Sequence, residues 1–355
     1  MNILNRNFLL IFISFTIVFI LNFSAKSNDF EDWTKIGTYK EKLTYIYSDY
    51  LSVIDISTQI DEIIIGLEEN TIDKKEAMTE GLGIINELKK LISDTTVSLN
   101  NLEPLVLSSE NKVTENLYRE FVNFLKNEIE PTMSNEVNMY ETAFLNALIG
   151  EFEDPLTRYI ESFDRIKLVI SSENKLLKLN MNSYEDDEPT KNKTKLIYIS
   201  NIYIIDYLDA FVYLFKSSLR PEDENISAEE LLEFFSNTNT ILTKSINEAE
   251  REYIKGIKNL ENFKKIYTNQ EFNEQTQIWV DEVLNLMDEA FAIEKEVINS
   301  LKKSMQYFTL NNFAENENVF NDILESFNEI YYYSILREEL SVKESNALKK
   351  MEALN

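Results

Sequence analysis

The stretch WVDEVLNLMDEAFAIEKEVINSLKKSMQYF, residues 279–308, decides the fold class. Trp279, Val283, Leu286, Ala290, Ile293, Val297, Leu301, Met305 and Phe308 recur at steps of three and four, so on a helix they form one apolar stripe. Leu231, Phe235, Thr238, Leu242, Ile246, Ala249, Tyr253, Ile257 and Leu260 repeat the pattern. At about 1.5 Å per residue these are rods of roughly 45–60 Å, the scale of long four-helix bundles. With only 6 Gly and 5 Pro in 355 residues, turns must be few and elements long. The expected fold class is all-α.

Caps and breakers around these stripes predict helices near 35–68, 73–102, 110–153, 155–181, 193–218, 227–267, 271–309 and 316–352. Asp73-Lys74-Lys75-Glu76 and Ser227-Ala228-Glu229-Glu230 have capping-box spacing, in which the first and fourth residues satisfy each other's free backbone N–H. Each opens the second helix of a set of four. The sets align in order: Asp55 falls against Asp206, Glu120-Phe121-Val122-Asn123 against Glu282-Val283-Leu284-Asn285, and Ile160-Glu161-Ser162-Phe163 against Leu324-Glu325-Ser326-Phe327. Two related four-helix units are expected, 28–182 and 193–355, joined by an acidic linker at 183–192. Coincidental helical patterning is the alternative. Pro131 lacks the N–H that closes the preceding turn, so the third helix should bend there and the seventh run straighter.

At the N-terminus, Asn5-Arg6-Asn7 precedes an apolar run from Phe8 to Phe23, and Ala25-Lys26-Ser27 offers small residues before a cleavage point at Asn28. This reads as a signal peptide over 1–27, with an uncleaved membrane anchor as the alternative. The expected location is therefore extracytoplasmic, periplasmic or secreted. Without Arg6 and Lys26 the remaining chain holds 33 basic against 62 acidic residues, a formal charge of −29. That field repels nucleic acid and anionic membranes, so membrane contact is expected only through residues 1–27.

The chain has neither Cys nor His. Disulfide scaffolds, Cys- or His-based nucleophile systems and His-ligated metals are thereby excluded, which leaves carboxylate, Tyr, Lys and Ser chemistry. No catalytic set, cofactor or metal site can be nominated. The acidic runs Glu185-Asp186-Asp187-Glu188 and Glu222-Asp223-Glu224-Asn225 lack calcium-loop spacing. Asn192-Lys193-Thr194 and Asn225-Ile226-Ser227 have the glycosylation pattern.

Leu196–Phe215 is the most apolar stretch after the signal segment. Asp206 and Asp209 near its middle make it a buried core helix rather than a membrane span. Lys195, Ile202, Asp206, Asp209, Tyr213 and Lys216 fall near one side of it. They form either a solvent-facing stripe or, with Tyr203 and Tyr207 beside the carboxylates, a pocket for a cationic or polar ligand. Asp55, near Tyr47 and Tyr50, is the matching candidate in the first half. The cluster Tyr331-Tyr332-Tyr333 cannot enter one core, because consecutive residues point to different sides of a helix. The expected function is a noncatalytic binding or interaction protein for a small cationic or polar ligand. A structural envelope protein pairing with another helical protein is the alternative, and an enzyme using carboxylates and tyrosines comes third.

Overall fold

A computed structural model describes residues 30–182, 189–220, 226–307, 309 and 319–350. The expected signal segment, Glu185–Glu188, Glu222–Asn225 and Phe308 lie outside the described residues, as do the side chains of Asp55 and Tyr331. The described residues are all-α, in eight long helices. These are α1 (Phe30–Glu68), α2 (Lys74–Asn100), α3 (Lys112–Phe124, Leu125–Ile129 and Glu130–Leu148 end to end), α4 (Pro155–Met181), α5 (Pro189–Ser218), α6 (Ala228–Thr268), α7 (Glu274–Tyr307) and α8 (Val319–Lys349).

The two apolar stripes face inward. In α6, Phe235, Leu242, Ile246, Ala249 and Leu260 are buried, and in α7 Leu286, Ala290, Ile293, Val297 and Leu301 are. Ser227 makes the reciprocal capping box with Glu230, whereas Asp73 accepts from the N–H groups of Lys75 and Glu76. The segment before Pro131 is a π-helical turn, Leu125–Ile129, in which the N–H of Glu130 reaches back to the carbonyl of Leu125. The wider turn accommodates a ring that a regular α-helix would force against a carbonyl. The seventh helix, α7, is continuous over Glu274–Tyr307.

Several boundaries differ from the sequence expectation; α1, for one, starts at Phe30 rather than near 35. Helix α3 ends at Leu148 rather than near 153, because Gly150 (φ +87°) takes the left-handed position and the Glu151 N–H closes onto the Asn146 carbonyl. Helix α5 starts at Pro189, inside the stretch expected to be linker. Proline at a first helical position forfeits only an N–H that has no partner within the helix, so it starts this helix rather than breaking it.

Helix α1 packs on α2, α3 and α8, and α4 packs on α5, so the first and last helices meet. One contiguous apolar cluster extends from Ile36 of α1 to Ala347 of α8 and includes residues of all eight helices. Helix α5 has the length and apolarity of a membrane span, yet 67% of its most apolar window is buried inside the protein, as expected of a core helix. At the start of α1, the Asp32 carboxylate accepts from the Ser108 N–H (2.9 Å), the Ser108 hydroxyl (2.6 Å) and the Asn111 amide (2.7 Å), tying down the connection between α2 and α3.

Both halves use one close-packing device. A Cβ at Gly81 of α2 would collide with the ring of Phe144 on α3, and a Cβ at Gly256 of α6 would collide with the ring of Phe291 on α7. In each case the absent side chain lets an aromatic residue of the next helix along the chain seat against the glycine-bearing one.

Candidate functional site

Helix α5 sorts its aspartates and tyrosines onto different faces. Residues 206 and 209 are three apart and share a side, whereas 203, 207 and 211 follow the core stripe. Tyr203 is 1% exposed; its hydroxyl donates to the Leu301 carbonyl (2.9 Å) and lies 3.0 Å from the Ser304 hydroxyl. Tyr207 is fully buried, with its ring between those of Tyr203 and Phe211. Tyr213 is partly exposed and stacks on Phe234 of α6 at 4.2 Å. The structure thus brings Asp206 and Asp209 together and places Tyr203 and Tyr207 in the core behind them. In the first half, Tyr47 packs edge-on against Phe121 and the Tyr50 hydroxyl meets that of Thr96 at 3.0 Å, so both belong to the core.

The two aspartates differ. Asp209 is exposed and accepts from Lys167 of α4 at 2.5 Å, and Lys167 also reaches Asp164 at 2.6 Å. Asp206 is half-buried and has no hydrogen bond or ion pair among the described residues. Burial, and then the neighbouring Asp209 charge, push its carboxyl above the ordinary aspartate value. A half-buried carboxylate beside another carboxylate gains from any cation that can reach it.

Other ionisable groups are more deeply buried and occupy the contacts between helices. In the centre, Glu344 of α8 accepts from Lys40 of α1 at 2.7 Å and pairs with Lys193 of α5 at 3.6 Å. Glu294 of α7 pairs with Arg337 of α8, whose charge also interacts with Glu173 of α4. Lys40, Lys193, Arg337, Glu173 and Glu294 are all nine-tenths or more buried. The result is a ladder of three cations and three anions across five helices. Burial pushes Glu344 up, but Lys40 and Lys193 outweigh it and hold the carboxyl below the ordinary glutamate value. Burial pushes Glu294 up, with Arg337 and Lys193 pulling it back only in part.

Two further knots have the same character. Asp61 of α1 accepts from the Arg158 Nε (3.0 Å) and Nη2 (2.7 Å) and from the Tyr140 hydroxyl (3.2 Å). Beside it, Glu136 accepts from Ser162 (2.7 Å) and Arg165 (2.8 Å). On α6 the buried Glu252 meets Lys195 (2.9 Å), Lys255 (3.0 Å) and Asn192 (3.2 Å). Asn192 and Thr194 are both buried, so the folded chain does not present Asn192-Lys193-Thr194 as a glycosylation site.

Among the described residues no three or more carboxylates are placed to hold a metal ion. Compared with family models, with curated proteins and with solved structures, the chain matches none.

Proposed function

We propose that this is an exported, noncatalytic helical-bundle protein that binds a cationic ligand on the α4–α5 face, with Asp206 as its principal contact. The observation that carries this reading is the contrast within one turn of α5: Asp209 has its counter-ion in Lys167, while Asp206 has none among the described residues. The acidic composition would concentrate cations around the molecule, and the apolar Phe8–Phe23 segment supports export.

Thermal unfolding of the purified protein, titrated with spermidine, arginine and lysine-rich peptides, tests it. A ligand at 100 times its dissociation constant adds about 2.7 kcal/mol, a shift of a few degrees for a protein of this size. The shift should vanish in Asp206→Asn and weaken in Asp209→Asn. No shift with any cation sinks this reading and leaves the scaffold alternative, which the exposed Leu168 and Leu179 on α4 favour.

A further inference from the structure

The last helix is held differently from the first, although the two lie against each other. Over residues 36–53, α1 buries eight apolar side chains: Ile36, Tyr39, Leu43, Ile46, Tyr47, Tyr50, Leu51 and Val53. Over the equally long stretch 332–349, α8 buries two among the described residues, Leu340 and Ala347. Its other inward positions are Arg337, Ser341 and Ser345, with Glu344 mostly buried in the same line. Tyr333, Leu336 and Leu348 touch the apolar cluster while remaining partly exposed.

The seam is polar along its length. Glu344 takes Lys40 from α1 and Lys193 from α5, Arg337 takes Glu294 from α7, and the Trp279 indole N–H donates to the Ala347 carbonyl at 2.8 Å. At the rim, Lys343 pairs with Glu289, Lys349 with Glu41 and Lys350 with Glu282. The backbones approach closely at Gly37, where a Cβ would lie 2.8 Å from the Ser345 carbonyl oxygen.

Buried apolar area contributes to docking in proportion to its extent, whereas a buried ion pair roughly breaks even against the hydration its partners give up. Exposed rim pairs add little. Close backbone contact therefore gives α8 a well-defined seat without a large free energy of docking. Local openings in folded proteins occur where apolar burial is least.

We infer that residues 332–349 of α8 form a releasable strap, seated on α1, α5 and α7 by buried ion pairs, which opens as a unit while the rest of the bundle stays folded. Glu344 is its latch, because one carboxylate holds lysines from two other helices. Opening returns Lys40, Lys193, Glu294, Arg337 and Glu344 to water together, so the ions regain hydration in the open state and the strap can close again.

Hydrogen–deuterium exchange of the full chain at neutral pH, read by peptide, tests this. Peptides in 332–349 should exchange at least about tenfold faster than those in 36–53 and 130–148, as expected for a sub-global opening. Glu344→Gln should speed exchange in 332–349 further and leave 130–148 unchanged. Lys343→Ser, which removes only a rim pair, should leave the profile as it is. The inference is overturned if 332–349 exchanges at the same rate as 36–53 in the native protein, a comparison that needs no variant. It is also overturned if Glu344→Gln accelerates every helix equally, or if Lys343→Ser acts as strongly as Glu344→Gln.

Discussion

The Asp61–Arg158 knot and the Glu294–Arg337 pair of the central ladder both bury a carboxylate against an arginine, yet they stand in different surroundings. Around Asp61 the helices are already held by apolar packing: α3 alone buries Met133, Val137, Ala143, Phe144 and Ala147 along the face that carries Tyr140. Both Asp61 oxygens are satisfied, one by two Arg158 nitrogens and the other by Tyr140. In the ladder, charges occupy the positions where apolar side chains would otherwise sit, and ions are shared between neighbours. The knot is thus an addition to a core, and the ladder is itself the contact. A pair whose charges mainly serve each other can be replaced together, at the cost of the acceptor of the Tyr140 hydroxyl, whereas a network of shared ions cannot.

The largest expected effect follows from that difference. Arg158→Met leaves the Asp61 charge buried without its main partner and should cost about 3–5 kcal/mol, read from the urea midpoint. Asp61→Leu combined with Arg158→Met should recover most of the loss, because both charges then leave a site already lined with apolar groups. Glu294→Leu combined with Arg337→Met should recover much less, because Arg337 also serves Glu173 of α4. Equal recovery at the two sites would mean that the ladder is only a larger version of the knot.

The response to acid should differ in sign. Lys40 and Lys193 hold Glu344 below its ordinary value of 4.5, so its contribution is fully present above that pH and is lost as pH falls through the lowered folded value. Burial, only partly offset by Arg158 and Tyr140, holds Asp61 above its ordinary 3.8, so the folded state takes up its proton first and this site gains as pH falls through the raised value. A tenfold difference in proton affinity between the folded and unfolded chain corresponds to about 1.4 kcal/mol. In denaturation curves from pH 7 to pH 3, the stability difference between the native protein and Glu344→Gln should shrink with acid. The corresponding difference for Asp61→Asn should grow. Parallel changes would show that net charge rather than these two sites sets the pH dependence.

The helices are legible in the sequence because their apolar steps follow one period over many turns, and the stripes of α6 and α7 are buried as that period requires. Pro189 is harder to place, since proline both ends and begins helices and only the three-dimensional path separates the two uses. Asp206 and Asp209 can be read as a polar stripe on an apolar helix. The position of Tyr203 and Tyr207 behind them follows from the same period, but tyrosine suits a core and a binding face alike. The ladder escapes a sequence reading because Lys40, Lys193, Glu294 and Arg337 look like ordinary surface charges. A faint signal exists: Lys40 stands four residues after Ile36 and three before Leu43, and Glu294 stands likewise between Ala290 and Val297. A charge in phase with an apolar stripe must either be paired inside or distort the helix.

The smallest expected effect compares two helix starts, those of α2 and α6. Asp73 accepts from two backbone N–H groups and lies at a helix N-terminus, where its negative charge is favoured. Ser227 is neutral, and its box is completed by Glu230, whose carboxylate accepts from the Ser227 N–H at 2.9 Å. Asp73→Ala and Ser227→Ala should therefore each cost about 1 kcal/mol. Salt should separate them. Added sodium chloride screens the interaction of the Asp73 charge with its helix, so the cost of Asp73→Ala should fall, while that of Ser227→Ala, a hydroxyl hydrogen bond, should hold steady. Because Glu230 loses the neighbour that orients it, Ser227→Ala should match the Ser227→Ala/Glu230→Gln double variant more closely than two independent losses would. Strict additivity would mean that the reciprocal bonds act separately, and the two starts would then differ only in charge.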